Sequence, residues 1–146
     1  MKAAATPCLA LLALFVLAGF AGIAAARPVD PENQSEIRRV IETQLDAFRR
    51  DDGETAFAQA SPEVRARIGT AGKFMAMVRR AYAPVYRPRE YDFQPAFALP
   101  DRTAQPVRFI GPDGNAVIGI YYMERQADGS WRIGGVDLLP VGERAI

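Results

Sequence analysis

Histidine is absent from the 146 residues. With it go the commonest general base, the Ser-His and Cys-His nucleophile pairs and the imidazole metal sites. Cysteine occurs once, as Cys8, inside an apolar leader, so a chain without that leader has no disulfide, no thiol chemistry and no sulfur ligand for a metal. An excess of charge is lacking too. There are 18 basic and 17 acidic residues, and loss of Lys2 with the leader leaves 17 against 17, a balance that gives no reason to expect nucleic acid as a partner. Asp51 and Asp52 are too few and too close to a helix end for a calcium loop. Gly72-Lys73 lacks the upstream glycine of a phosphate loop. The expectation is a protein without metal or cofactor.

What is present begins with Met1-Lys2, an apolar run from about Pro7 to Ile23, and Ala24-Ala25-Ala26 before Arg27. That is the plan of a secretory signal peptide over residues 1–26, with export to the periplasm or medium. Retained, Cys8 to Gly22 would be a short membrane anchor; cleaved, the chain has no membrane partner. Residues 27–146 then have the length of one domain with one core.

Helical spacing dominates the first half. After a lead-in over Arg27–Asp30, either Asp30-Pro31 or Asn33 with Glu36 starts a helix. Its apolar stripe is Ile37, Val40, Ile41, Leu45 and Phe48. Asp51-Asp52-Gly53 stops it, with Gly53 suited to a left-handed end. A short helix follows over Glu54–Ala60. Ser61-Pro62-Glu63 is then a cap, a first-turn proline and a first-turn acid, opening a helix that carries Val64 and Ile68. Thr70 opens another with Phe74, Met75, Val78 and Tyr82 on one side, ended by Pro84. The residues before Pro84 and Pro88 are pushed toward extended geometry, which predicts a stiff ribbon there.

From Tyr91 the period becomes two. Four strands are predicted: Tyr91–Leu99, with Pro95 marking an edge or a bulge; Gln105–Ile110; Ala116–Gln126; and Ser130–Leu139. Asp113-Gly114 and Asp128-Gly129 favour tight hairpins between the last three. Helices first and a meander after argue for an α+β fold, with the helices on one face of a curved antiparallel sheet. The third strand is apolar on both sides, Ile118, Ile120 and Tyr122 against Val117, Tyr121 and Met123. Its outer side therefore needs a cover, and the simplest is a second copy, in a homodimer burying on the order of 1,200 Å² or more.

Tyr82, Tyr86 and Tyr91 sit where helices give way to sheet and would offer hydroxyl groups to an apolar ligand, while Arg87 would hold an acidic one. The competing reading has the tyrosine rings packed in the corner and the arginine solvated. Asp137 is the best candidate for a catalytic carboxylate inside the sheet. Strict alternation sets it beside Trp131 and Ile133, where desolvation would raise its pKa. A bulge at Gly134-Gly135 would instead turn it outward.

Gln44-Leu-Asp-Ala-Phe48, Ala56-Phe-Ala-Gln-Ala-Ser-Pro62, Phe74-Met-Ala-Met-Val-Arg-Arg80, Tyr82-Ala-Pro-Val-Tyr86 and Met123 to Ile133 resemble a family of small exported bacterial proteins known only as a domain of unknown function. The order of elements is also similar to the cone-shaped nuclear transport factor two-like superfamily. That resemblance implies helices closing over a curved sheet to form a pocket, in enzymes of isomerase and dehydratase type and in binding or dimerisation domains alike. Three functions follow: a non-catalytic module for a small ligand or a protein partner, a histidine-free isomerase or lyase using a carboxylate and a tyrosine in the cone, or a structural dimerisation domain.

Overall fold

A computed structural model describes residues 26–142, so the signal peptide expected over residues 1–26 lies, apart from Ala26, outside the described residues. The chain is α+β: strand β1 (Arg27–Pro28), helices α1 (Pro31–Arg49), α2 (Gly53–Ala58), α3 (Pro62–Ile68), α4 (Ala71–Ala81) and α5 (Ala83–Tyr86), then β2 (Glu90–Phe93), β3 (Phe97–Ala98), β4 (Thr103–Ile110), β5 (Ala116–Arg125) and β6 (Trp131–Pro140). Among the described residues no helix is long and apolar enough to cross a membrane.

The helix starts follow their caps. Asp30 accepts from the Asn33 amide at 3.0 Å, Asp52 from Thr55 at 3.1 Å, Ser61 from Val64 at 3.3 Å and Thr70 from Lys73 at 3.2 Å. Each side chain satisfies an amide that has no partner inside its own helix. The stripe of α1 is the centre of the core. Ile37, Ile41, Leu45 and Phe48 are buried, each contributing at most about 1.5–3 kcal/mol relative to exposure.

The sheet has six strands rather than the four expected, in the order β1-β3-β4-β5-β6, with β2 also paired to β4. Two causes account for the difference. The first predicted strand is cut: Phe93 pairs with Val107 and Phe97 with Ala104, so Gln94-Pro95-Ala96 stand against only two residues of β4. Proline has no amide to continue the ladder, and the extra residue is a bulge. Second, the expected lead-in is partly strand, with Arg27 opposite Ala98 and Pro28 opposite Phe97.

Two further expectations are corrected. The ribbon after Pro84 begins as a helical turn, because a proline in the first turn is already preset in φ and has no amide to lose. At the end of α1 the left-handed residue is Asp51, φ 52°, while Gly53 opens α2. Aspartate tolerates that region better than most side chains, and Asp51 is held there by three partners described below.

The glycine bulge is present. Tyr122 pairs with Gly135 and Met123 with Ile133, which leaves Gly134 as the extra residue. On its N-terminal side Trp131 and Ile133 point into the core; beyond it Val136 and Leu138 do, packing on the core cluster. The edge of β6 is covered where it enters the helices: Ser61 donates its amide to the Ile133 carbonyl at 2.8 Å, and Ile133 donates to Gln59 at 2.9 Å.

Candidate functional site

The same bulge opens a cavity. Val136 is turned toward the helices, the segment Gln59–Ser61 is tied to Ile133, and between them α3 stands off the sheet with none of its residues fully buried. The resulting pocket holds about 260 Å³ and is lined by Gln44 and Phe48 of α1, Ala60, Val64, Arg67 and Ile68 around α3, Phe74, Met77 and Val78 of α4, Tyr82, Val85, and Ile133 to Val136 of β6. That is slightly below the usual range for a drug-sized ligand. It corresponds to roughly eight or nine groups of the volume a water occupies.

The lining is apolar with few polar groups, and two of these are already engaged. Gln44 is buried and donates Nε2 to the Ala56 carbonyl at 3.1 Å; Tyr82 donates its hydroxyl to the Val136 carbonyl at 3.3 Å. Arg67 is the one charged residue of the lining. Among the described residues its ion pair is with Glu63, 3.7 Å away across one helical turn, with both side chains largely in water, an arrangement worth little. The mouth therefore carries a guanidinium that is free to turn to an anion. Among the described residues no aspartate or glutamate lines the pocket.

Of the residues singled out in the sequence, the structure places Tyr82 in this lining and the others elsewhere. Tyr86 and Arg87 close on Asp51: the Tyr86 hydroxyl donates to Oδ1, and Arg87 pairs with Oδ2 at 3.0 Å while also donating to the Phe48 carbonyl. The Arg87 guanidinium lies 3.9 Å over the Tyr86 ring, and Arg79 donates Nε to the Tyr86 hydroxyl at 3.2 Å. The hydrogen bond from Tyr86, with the charge of Arg87 and a further bond from Arg79, holds the Asp51 carboxyl below its ordinary pKa. This is a clamp between the end of α1 and α5, with its polar groups already paired. Tyr91 packs its ring against Phe93 and Phe109; burial, with Glu42 and Asp46 nearby, raises its pKa.

Asp137 lies on the outer face of the sheet, exposed, accepting from the Tyr122 hydroxyl at 2.9 Å. Asp137 thus meets a tyrosine, Tyr122, on the side of the sheet away from the pocket, while Tyr82 lies in the pocket lining. The hydrogen bond to Asp137 raises the pKa of Tyr122. Deep in the core, Tyr121 is fully buried, which pushes its pKa far up, and neither its hydroxyl nor Gln105 Oε1 has a partner among the described residues.

Nothing in the residue pattern points directly to Val64, Arg67, Ile68, Met77 or Val136 as pocket residues. The available signal was indirect: α3 is short, with two apolar positions that cannot cover a core by themselves.

A family described as Domain of unknown function (DUF4864) matches residues 30–146. No curated protein matches the chain. The chain belongs to the DUF4864 family.

Proposed function

We propose that this member of the DUF4864 family is an exported, non-catalytic module that holds a small apolar ligand with an acidic end, its body between α3, α4 and β6 and its head at Arg67. The observation that carries the reading is the open apolar pocket with a single cation at its rim. Helices closing over one face of a curved sheet, as in the cone-shaped folds that the order of elements resembles, supply the architecture. The leader pattern of residues 1–26 supports export.

The isomerase or lyase reading needs a base next to the substrate. Among the described residues the lining has no carboxylate, and Asp137 is on the opposite face of the sheet. Binding is the function these groups support.

Octanoate is a probe of the right size and charge, with octanol as its uncharged control. At a hundredfold excess over its dissociation constant a ligand stabilises the folded state by about 2.7 kcal/mol, a rise in Tm of roughly 10 °C for a domain of this length. Octanoate is expected to raise Tm more than octanol, and Arg67→Ala to remove the difference. Val64→Trp, which fills the cavity from a half-buried position, should abolish both responses. An unchanged Tm with either probe, or a rise that survives Val64→Trp, excludes this pocket as the site.

A further inference from the structure

The face of the sheet turned away from the helices follows from the register. On β5 the inward residues Val117, Tyr121 and Met123 pack in the core, with the Phe109 ring over Gly119 between them. Ile118 and Ile120 alternate with them on the other side. Ile118 is flanked by Arg108 on β4 and Leu139 on β6; Ile120 is flanked by Pro106 and Asp137. Leu139 is 48% exposed, among the most exposed large apolar side chains described. An apolar centre of this kind, bordered by charges, is how an interaction surface presents itself.

The charges have a geometry. Arg108 is exposed and has no ion pair among the described residues; its cross-strand neighbour Asp92 accepts from Gln94 at 2.8 Å instead. Asp137 uses Oδ2 for Tyr122, and its Oδ1 has no hydrogen bond among the described residues. The two groups stand on opposite flanks of β5, one beside Ile118 and the other beside Ile120, so the point midway between them is the centre of β5 at Gly119.

We propose that this face is covered by a second copy of the same chain, packed face to face about a two-fold axis in the plane of the interface, through the middle of β5. An axis that sets Arg108 opposite the partner's Asp137 passes between Ile118 and Ile120, over Gly119. One operation thus buries Ile118 and Ile120 against the partner's Ile118 and Ile120 and forms the Arg108–Asp137 pair twice. A self-complementary patch is the requirement for a closed dimer. Opposite charges at its border favour this register over those that set Arg108 or Asp137 against an apolar group or a like charge. This inference is independent of what the pocket holds.

The test is charge exchange, read by sedimentation equilibrium on the purified protein at micromolar concentration. The wild type is expected at twice the protomer mass. Arg108→Asp and Asp137→Arg each place like charges together at two symmetric positions, and each should raise the dimer dissociation constant on the order of tenfold or more. The double variant R108D/D137R restores opposite charges and should recover most of that loss. Both positions are exposed, and circular dichroism spectra matching the wild type establish that the variants fold. A monomeric wild type, a dimer indifferent to both single substitutions, or a double variant no better than either single one each overturns the proposal.

Discussion

Two glycines of the same sheet show how a substitution with one name acts in opposite ways. A Cβ on Gly119 would stand 2.8 Å from Phe109 Cε2, and that ring is fully buried with no direction in which to retreat. A Cβ on Gly134 would meet Glu124 Oε1 at 2.3 Å, but Glu124 is an exposed, flexible side chain that can swing into water. Gly119→Ala should therefore cost about 1–3 kcal/mol, as overpacking does. Gly134→Ala should stay within about 0.5 kcal/mol of wild type; chemical denaturation of the two variants side by side measures the contrast. Asp51 makes a different kind of prediction. Its carboxyl pKa is lowered in the folded chain by the Tyr86 hydrogen bond and by Arg87 and Arg79. A lowered folded-state pKa means that the unfolded chain takes up its proton first as pH falls. The stabilisation is then complete above the ordinary aspartate value of about 4 and is lost as pH drops through the lowered folded value. Asp51→Asn keeps a residue that tolerates φ 52° but removes the charge. Its Tm should lie below wild type at neutral pH, and the two curves should converge as pH falls through the lowered folded value; a constant gap from neutral pH down to full protonation would count against the clamp.

At the scale of elements, the link between α2 and α3 carries more than its length suggests. Ser61 is fully buried, caps α3 through its side chain and donates its amide to the edge of β6. Ser61→Ala leaves the backbone bond in place and removes only the cap, so the expected loss is about 1 kcal/mol, within a range of roughly 0.5–2. The midpoint of urea unfolding should shift with no change in slope. Caps such as this one were legible in the sequence because their chemistry is local: Asp30-Pro31, Ser61-Pro62 and Thr70 start helices where they were expected to. The bulge was legible as well, since the apolar phase reverses across Gly134-Gly135. What escaped depends on distant partners. Tyr86 and Arg87 looked free for a ligand because Asp51, which engages them, lies 35 and 36 residues earlier. The pairing of Arg27–Pro28 with β3 involves two residues and leaves no periodic trace. Pocket residues of α3 were invisible as such because a half-buried apolar position and a buried one are written with the same letters.

In the whole molecule, the sheet separates two surfaces that use the same strands for different ends. Val136 faces the cavity between sheet and helices, while its neighbour Asp137 faces outward, and the alternation that divides them is set by one extra residue at Gly134. A ligand in the pocket and a second copy on the outer face would each stabilise the folded chain by mass action, the first in proportion to ligand concentration and the second to protein concentration. With no side chain shared between the two surfaces, the contributions should add to within about 0.5 kcal/mol. The Tm of the wild type is accordingly expected to rise with protein concentration, and that of Arg108→Asp to depend on it less. At a protein concentration where the wild type is dimeric, the increment given by saturating octanoate should be the same for both within the error of the melt. An increment lost in Arg108→Asp would mean that the pocket is complete only in the dimer, with Val136 and Asp137 moving together when β6 is covered.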